Sequence, residues 1–270
     1  MTNVATLSNR PFGATAINPL GQMAGGSLGD AAILSNGVVT DLGNLGGTSS
    51  YAQAINSAGL TVGASYIPYV NGATIEHAFL YNGTKMIDLG TLANSLQGVN
   101  SYATDINDLG QIVGTSQTSI NTDPSHAFLY GNGVMTDMGT LPTYTNSQTT
   151  AINNHGQILG FCTSFSGGSR AFIYSGGVMR DLNTLLDSSG AGWYLPGDGD
   201  INDNGVIACD GSTPSGERHV LLLTPVPEPP SVILLAFGAM LLGGCAAARL
   251  GISTNLINAA VRQTPRRSAV

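Results

Sequence analysis

The chain of 270 residues is 42% hydrophobic and contains 37 glycines, but only 9% of its residues are charged. This composition excludes a disordered acidic segment, which needs more charge, and a linker, which has fewer apolar runs. The net charge of −7 with a single lysine excludes a nucleic-acid partner, because phosphate binding needs a basic face.

The first segment, residues 1–11, is polar. A secretory signal peptide has an apolar core of about 7–15 residues, and this segment contains none. Export requires such a signal, so either the true start lies upstream of Met1 or this copy of the protein has decayed.

A short phrase then recurs five times, as AINPLGQMAG, AINSAGLTVG, DINDLGQIVG, AINNHGQILG and DINDNGVIAC. In each copy an apolar run ends at Ile-Asn and a new one starts after Gly. The Asn side chain can hydrogen-bond the backbone two residues on, and the Gly can adopt a positive φ. The predicted turn residues are Asn18/Gly21, Asn56/Gly59, Asn107/Gly110, Asn153/Gly156 and Asn202/Gly205.

A second phrase alternates with the first. Its full copies are HAFLYNGTKMIDLGTL, HAFLYGNGVMTDMGTL and RAFIYSGGVMRDLNTL, with a weaker copy AAILSNGVVTDLGNL and a truncated copy HVLLLTP. Apolar runs on both sides of Asn-Gly or Gly-Gly predict a β-hairpin. Two hairpins give four strands per repeat, which is the content of one propeller blade.

The fold class that we predict is all-β, with a five-bladed β-propeller over residues 1–224. The last repeat stops after its third strand, and residues 3–7 line up with the missing fourth-strand phrase. A ring closed in this way leaves no exposed strand edge. A β-solenoid is the alternative, and it would not need ends that complement each other.

Both phrases resemble the HAF repeat, named for His-Ala-Phe, of predicted extracellular bacterial proteins. The resemblance covers approximately residues 14–223, although the first copy lacks the His and the Phe, and the fourth and fifth copies are partial. It implies an extracellular location and no particular activity.

The three cysteines do not form a disulfide framework. Cys162 and Cys209 lie in strand-like apolar runs, and Cys245 lies in the apolar tail. We expect buried free thiols, since unpaired cysteine packs as a small apolar residue. The alternative is a Cys162–Cys209 disulfide, which would need neighbouring strands at the right spacing.

Two polar positions repeat in the second phrase. A carboxylate pair could act as acid and base, and converging histidines could bind a metal. Residues repeated in every blade lie around a ring, so we expect structural roles, with the aspartates accepting backbone N–H bonds at strand ends. The residues are Asp41, Asp88, Asp137 and Asp181, and His77, His126 and His219.

Asp200, Asn202 and Asn204 match the start of a calcium loop, but the downstream Glu is missing, which favours an Asn-Gly turn. His155 is expected to be a solvated turn residue. We expect no catalytic site, metal or cofactor. Aromatic residues in predicted loops could stack on sugars or simply pack: Tyr66, Tyr69, Trp193 and Tyr194.

The end of the chain reads as a membrane segment. Residues 225–230 (PVPEPP) break regular structure, and residues 231–248 carry no charge. As a helix they would span about 27 Å, close to the thickness of the hydrocarbon core. All 16 acidic residues precede Ser231, and Arg249, Arg262, Arg266 and Arg267 follow the apolar run. The positive-inside rule therefore places the β domain outside the cytoplasm.

Residues 225–249 resemble the PEP-CTERM sorting signal, which combines a Val-Pro-Glu-Pro motif, an apolar helix and a basic end. The resemblance implies that an exosortase of a Gram-negative bacterium recognises Pro227, Glu228 and Pro229, and that Arg249 stops transfer. This chain departs from the pattern, because its basic end is one Arg and a basic tail, residues 250–270, follows. A plain membrane anchor is the alternative.

The expected function is that of a non-enzymatic protein of the cell surface or extracellular matrix. It would be held in the membrane by residues 231–248, processed by exosortase, and bind polysaccharide or protein through its β domain. One alternative is a secreted propeller glycoside hydrolase or lyase that uses non-repeated acids, for which Asp123, Glu76 and Glu217 are the candidates. A cytoplasmic, tail-anchored β-propeller is another.

Overall fold

The computed structural model describes residues 10–68, 75–93, 98–119, 124–226 and the strand Asn258–Gln263. Within these ranges the chain forms β-strands joined by turns, and its helical parts are two 3₁₀ turns, Leu182–Leu185 and Ser188–Gly190. The all-β prediction is confirmed.

The strands of the described ranges pair antiparallel in five sheets of four, and each sheet keeps its strands in chain order. Sheet 1 contains β1 (Gly13–Ile17), β2 (Met23–Ser27), β3 (Asp30–Ser35) and β4 (Val38–Gly43). Sheet 2 contains β5 (Ser50–Ile55), β6 (Thr61–Ile67), β7 (Ile75–Tyr81) and β8 (Met86–Asp88). Sheet 3 contains β9 (Ser101–Ile106), β10 (Ile112–Gln117), β11 (Ser125–Gly131) and β12 (Val134–Asp137). Sheet 4 contains β13 (Asn146–Ile152), β14 (Ile158–Thr163), β15 (Ser169–Ser175) and β16 (Val178–Asp181). Sheet 5 contains β17 (Gly199–Ile201), β18 (Ile207–Ser212), β19 (Arg218–Val226) and β20 (Asn258–Gln263).

The first strands of the five sheets end around one cavity of about 300 Å³. Consecutive sheets pack face to face, and separate buried clusters join sheets 1 and 2, 2 and 3, 3 and 4, and 4 and 5. The repeated Phe79, Phe128 and Phe172 are fully buried, each against the preceding sheet. Sheets that radiate from a common axis are the arrangement of propeller blades and not of stacked solenoid coils.

A glycine in the second strand of each of the first four sheets allows a bulge in the first strand. At Gly63, Gly114 and Gly160, an added Cβ would lie 2.0–2.1 Å from a carbonyl oxygen of the first strand. In sheet 5 this position is Cys209, and β17 pairs with β18 without a bulge. There Gly199 of the first strand makes the close approach, since its added Cβ would lie 2.8 Å from the Cys209 Cβ.

The fourth strand of sheet 5 differs from the predicted one. Residues 3–7, predicted to complete this sheet, lie outside the described residues. The position beside β19 is held by β20, which lies within the predicted basic tail, residues 250–270. β19 also continues through Pro225 to Val226, where the sequence predicted a break after residue 224. Proline is tolerated at a strand end, where few ladder hydrogen bonds are lost.

Among the described residues, the junction between sheets 5 and 1 is open, whereas the sequence predicted a closed ring. Ile17 is 62% exposed, although its equivalents in the other sheets are 5–8% exposed. Those equivalents are Ile55, Ile106, Ile152 and Ile201, each packed against the preceding sheet. The physical reason is that β20 does not lead into β1, so nothing in the described chain ties the edge of sheet 5 to sheet 1.

Cys162 and Cys209 are free and buried, as predicted, and they do not form the alternative disulfide. Burial raises the pKa of the Cys162 thiol to about 11 and that of Cys209 to about 12, so both stay protonated and unreactive. Cys245 lies outside the described residues.

The predicted transmembrane helix, residues 231–248, also lies outside the described residues. In the part of the chain that the structure describes, no helix has the length and apolar character needed to cross a membrane.

Candidate functional site

The sheets have two ends with different chemistry. The Ile-Asn turns lie together at one end, which we call the turn face. The first strands begin at the opposite end, beside the loops between second and third strands, and we call this end the loop face. The candidate residues that the structure describes lie on the turn face, on the loop face or along the strands between these two faces.

On the turn face, the repeated asparagines both close their turns and tie neighbouring sheets. The Asn18 Oδ1 accepts hydrogen bonds from the backbone N–H of Leu20 and Gln22, at 3.1 and 3.0 Å. Its Nδ2 donates to the Asn56 carbonyl of the next sheet, at 3.0 Å. The same tie runs from Asn56 to Asn107, Asn107 to Asn153 and Asn153 to Asn202. The five turn glycines have φ between +71° and +81°, so the predicted turns are confirmed.

A second set of hydrogen bonds surrounds the mouth of the cavity on this face. The backbone N–H groups of Ser57, Asp108 and Asn154 each donate to the side chain of the next sheet, at 2.8–2.9 Å. The Asn154 amide also donates to the carboxylates of Asp108 and Asp203, at 3.2 and 3.0 Å. The Ser57 N–H holds the pKa of Asp108 below its usual range. These polar groups bond one another, so the turn face is structural.

The calcium-loop candidates are part of the same turn chemistry. The Asp200 Oδ1 accepts a bond from the Ile201 N–H at 2.7 Å, and the Asn202 Oδ1 accepts bonds from Asn204 and Val206, both at 3.0 Å. Their oxygen atoms therefore hold an Asn-Gly turn. Across the described ranges, no group of three or more His, Cys, Asp or Glu residues could hold a metal ion. His155 is an exposed turn residue, as predicted.

The repeated aspartates and histidines pair with each other in sheets 2 and 3. The Asp88 carboxylate accepts the Gly90 N–H at 2.7 Å and lies 2.9 Å from the Nδ1 of the fully buried His77. His126 and Asp137 repeat this pair at 2.9 Å. Burial alone would raise the pKa of Asp88, but the bonds from His77 and Gly90 lower it overall. Asp41, Asp137 and Asp181 likewise accept a backbone N–H two residues on, which confirms the predicted structural role.

Trp193 and Tyr194 pack between sheets 4 and 5. The Trp193 ring meets His219 edge-on, with ring centroids 5.5 Å apart. The Tyr194 hydroxyl hydrogen-bonds the Ser169 backbone, and the Arg170 guanidinium lies 5.4 Å from the Tyr194 ring centroid. These contacts support the packing interpretation of the pair. Tyr69, the other predicted loop aromatic, lies outside the described residues.

Tyr66 and Glu76 belong to a different cluster, which lies on the loop face and which we call the tyrosine–glutamate cluster. It comprises Tyr51, Tyr66, Tyr102 and Glu76. Tyr66 and Glu76 are paired across β6 and β7. The Tyr51 hydroxyl donates to the Glu76 Oε2 at 3.1 Å, and the Tyr66 hydroxyl also hydrogen-bonds Glu76. Tyr102 lies beside Tyr51 at the same position of the next first strand.

Tyr51 lies on the opposite face of β5 from its two neighbours and reaches across β6 to Glu76 on β7. Ser50 and Ala52 are buried on the packed face of β5, whereas Tyr51 between them is 40% exposed. Because successive strand residues point to opposite faces, Tyr51 points away from the packed face. The Asn100 Oδ1 accepts the Glu76 N–H at 2.9 Å and so fixes the strand that carries the carboxylate.

The electrostatics of the cluster keep the hydroxyl groups of Tyr51 and Tyr66 protonated. Burial and the Glu76 carboxylate raise the pKa of Tyr51. The hydrogen bond to Glu76 and its charge raise the pKa of Tyr66. At neutral pH the cluster therefore presents aromatic faces and hydroxyl groups around one carboxylate. Aromatic rings with a few placed polar groups are the usual lining of a small-molecule site.

The other acids proposed for a hydrolase are not in this cluster. Glu217 lies on sheet 5, 3.8 Å from His219, whereas Glu76 lies on sheet 2. Asp123 lies outside the described residues. The structure thus does not bring Glu76 and Glu217 together.

Sequence reasoning missed a set of buried serines at the start of three first strands. The Ser101 Oγ accepts the Ala78 N–H of the preceding sheet at 2.9 Å and donates to the Gly90 carbonyl at 2.6 Å. Ser50 and Ser147 make the equivalent bonds. The recurrence of Ser before Tyr-Ala, Tyr-Ala and Gln-Thr at one repeat position was the signal available in the sequence.

The predicted sorting residues Pro227, Glu228, Pro229 and Arg249 lie outside the described residues.

Comparison with known proteins gives a partial match to a family model. A family model described as a protein of unknown function (DUF3466) matches residues 31–140, which is less than half of the chain. No curated protein matches the chain.

The solved structures that are similar to the chain include three from different proteins. The β-propeller domain of the Trilobed protease from Pyrococcus furiosus is 10% identical, with a TM-score of 0.49, over 74% of this chain and 56% of that one. TolB from Acinetobacter baumannii is 14% identical, with a TM-score of 0.43, over 77% and 53%. The gluconolactonase XC5397 from Xanthomonas campestris is 10% identical, with a TM-score of 0.37, over 80% and 84%. The chain thus spans little more than half the length of the first two.

Proposed function

We propose that this chain is a non-enzymatic protein of the cell surface or extracellular matrix whose β domain binds a neutral polysaccharide at the tyrosine–glutamate cluster. The observation that carries the proposal is the contact of Tyr51 and Tyr66 with one carboxylate, Glu76, on the loop face. The domain itself would be a five-bladed β-propeller with this cluster on its loop face.

The chemistry of the cluster suits a sugar chain. The apolar face of a hexose can pack on a tyrosine ring, and its hydroxyl groups can exchange hydrogen bonds with phenol and carboxylate oxygens. The net charge of −7 disfavours an anionic polysaccharide through like-charge repulsion. We therefore commit to a neutral one.

Binding is favoured over hydrolysis by the number of carboxylates. A glycosidase needs two carboxyl groups about 5–9.5 Å apart, one of which acts as an acid. The tyrosine–glutamate cluster contains one carboxylate, that of Glu76, which accepts a hydrogen bond from the Tyr51 hydroxyl.

The test is calorimetric titration of the purified full chain, in detergent, with neutral hexose oligosaccharides of defined linkage. Tyr51→Ala and Glu76→Gln should each weaken binding about tenfold, because each removes an interaction worth about 1.4 kcal/mol. Phe165→Ala is the matched control, since Phe165 is 78% exposed on the corresponding loop of sheet 4. Equal affinities for the parent and both cluster variants would contradict the proposed site.

We further propose that residues 225–249 are a sorting signal and that an exosortase is the processing partner. The order of the Pro-Glu-Pro motif, the uncharged residues 231–248 and Arg249 supports this proposal. Residues 231–248 would hold the protein in the membrane until cleavage releases the β domain to the cell surface.

A further inference from the structure

The two ends of the sheets differ in charge. Most of the acidic residues that the structure describes lie in the loop half of their sheets, among them Glu76 and the repeated aspartates. Four lie in the turn half, on the first strands and first turns of sheets 3 and 5: Asp105, Asp108, Asp200 and Asp203. The turn face is therefore the less charged end of the domain.

Apolar side chains are exposed on this less charged end. Leu20 and Leu109 lie at the tips of the Ile-Asn turns of sheets 1 and 3, where they are 73% and 71% exposed. Large aliphatic side chains at turn tips leave apolar surface in water, which is unfavourable unless another apolar phase covers it.

The hairpins between third and fourth strands add to this surface. They lie at the same end as the Ile-Asn turns, because strand direction alternates in an antiparallel sheet that keeps its strands in chain order. Three of them expose the valine that opens the fourth strand, with Val38, Val134 and Val178 at 59%, 60% and 47%. In the described hairpins of this kind, the charged residue at the tip is Lys85 of sheet 2.

The chain leaves the β domain at this end. β19 begins at Arg218 beside the loop face and runs to Val226 beside the turn face. Its Pro225 lies against the last Ile-Asn turn, since a Cβ added to Gly205 would lie 3.1 Å from the Pro225 Cγ. Val226 pairs with Asn258, so the chain between β19 and β20 begins and ends at the turn end of sheet 5.

This connection carries the uncharged run of residues 231–248. The run is separated from β19 by residues 227–230, and four residues reach at most about 14 Å. An apolar phase that takes up residues 231–248 therefore lies close to the turn face, and the loop face lies at the opposite end of the strands.

We propose that the turn face is the membrane-facing end of the domain, and that Leu20, Leu109 and the three hairpin valines rest on a zwitterionic lipid surface. The proposal rests on the membrane insertion of residues 231–248 proposed above. A zwitterionic surface fits better than an anionic one, because the carboxylates at this end outnumber Lys85 and repel anionic headgroups. The tyrosine–glutamate cluster then points away from the membrane and stays open to a polysaccharide.

The test measures how deeply a fluorophore at each end of the domain lies in a bilayer. The full chain, labelled on one cysteine with a nitrobenzoxadiazole maleimide, is reconstituted in phosphatidylcholine vesicles with and without a doxyl-labelled phosphatidylcholine as quencher. Leu109→Cys with Cys245→Ser carries the label on the turn face. Phe165→Cys with Cys245→Ser is the matched control on the loop face, where Phe165 is 78% exposed. The parent chain, labelled at Cys245, reports insertion of the tail, and the buried Cys162 and Cys209 stay unlabelled.

The two ends should respond differently. The doxyl lipid should lower the emission of the Leu109→Cys label about twofold or more, because side chains of a docked surface lie within about 5–10 Å of the headgroup–acyl boundary. The Phe165→Cys label should keep its emission, since it lies at the far end of strands about 20 Å long.

A second pair of variants tests whether the leucines make the contact. Val134→Cys, labelled in the same way, should also be quenched. Adding Leu20→Ser and Leu109→Ser should reduce that quenching, because both leucines are exposed and their loss removes apolar contact with lipid without affecting the core.

The outcomes separate this proposal from the membrane insertion on which it rests. Quenching at Cys245 without quenching at Leu109→Cys would overturn the proposal and leave insertion in place, and so would equal quenching at Leu109→Cys and Phe165→Cys. Quenching at Leu109→Cys but not at Cys245 would support the turn face and contradict insertion. Quenching at neither position would overturn both.

A second copy of the chain is the competing occupant of the turn face. In that case the emission of the Leu109→Cys label would shift to the blue as the protein concentration rises in detergent, and the doxyl lipid would not quench it. That result would also overturn the proposal.

Discussion

At the scale of single residues, the least ordinary group is Asp105, which replaces the alanine found before Ile in three of the other sheets. Its Oδ1 accepts the Ile106 N–H at 2.8 Å, and its Oδ2 accepts the Ile152 N–H of the next sheet at 2.9 Å. Burial, with a contribution from the charge of Asp200, raises the pKa of Asp105 to about 6, although the two N–H bonds oppose the shift. The Asp105 carboxyl therefore joins two sheets by hydrogen bonds, although burial destabilises its ionised form.

The raised pKa predicts a particular dependence of stability on pH. An unfolded aspartate titrates near pH 4, so between about pH 4 and 6 the folded state binds more protons at Asp105 than the unfolded state. The free energy of unfolding should therefore fall as the pH rises through this window, by on the order of 2 kcal/mol. Asp105→Asn should flatten this fall in thermal unfolding between pH 4 and 8. Glu217→Gln, an exposed acid on sheet 5, is the control, and equal slopes for Asp105→Asn and the parent would contradict the assignment.

The buried serines give a second prediction at this scale. Ser101 is fully buried and serves the Ala78 N–H and the Gly90 carbonyl. Ser101→Ala leaves both groups without that partner, which should lower the free energy of unfolding by about 2–3 kcal/mol. Ser166→Ala, at an exposed loop position, should change it by less than about 0.5 kcal/mol. Urea denaturation measures the free energy of unfolding of both variants. If Ser101→Ala leaves it unchanged, the hydrogen bonds of Ser101 do not stabilise the contact between sheets.

At the scale of elements, each sheet depends on one close approach between its first and second strands. Glycine provides it in the second strand of sheets 1–4, and Gly199 provides it from the first strand in sheet 5. Because the glycine of sheet 5 lies in the first strand, β17 tolerates Cys209 opposite it and lacks the bulge seen in the other first strands. The repeated Gly is therefore a requirement of backbone packing.

This requirement is tested by Gly114→Ala. Its Cβ would lie 2.1 Å from the Tyr102 carbonyl oxygen and 2.6 Å from the Phe128 ring, so β9 and β10 must separate. We expect a loss of about 1–3 kcal/mol in the free energy of unfolding, typical of overpacking. Gly131→Ala in β11 is the matched control, because nothing lies within 4 Å of its added Cβ. Urea midpoints that shift equally for the two variants would refute the packing argument.

At the scale of the whole molecule, the observed pairing of the tail and its proposed sorting role exclude each other in space. As β20 the tail completes sheet 5. As the end of the proposed sorting signal it would lie across a membrane from β19, and cleavage near Pro227 would remove β20 from the chain altogether. The proposed sorting would therefore leave the outer edge of β19 without β20.

The sorting proposal predicts a change in mass. In cells that contain an exosortase, the intact mass of the surface-associated protein should correspond to a chain that ends near Pro227–Pro229. Glu228→Gln should leave the protein at full mass. Glu217→Gln, which lies outside the motif, should still be cleaved to the lower mass. An unchanged mass with and without exosortase would refute processing.

The sequence by itself determined the features that depend on neighbouring residues. The Asn-Gly turns, the all-β repeats, the strand-end bonds of Asp88 and its equivalents and the free buried thiols were all predictable, because turn chemistry and strand alternation act over a few positions. Only the tertiary structure decided which strands meet. Tyr51, Tyr66 and Glu76 come together from three strands, Ser101 reaches back to another sheet, and β20 takes the edge predicted for residues 3–7. Such contacts are decided when distant segments compete for the same surface. The sequence pattern of one segment does not show which of the competing segments will bind.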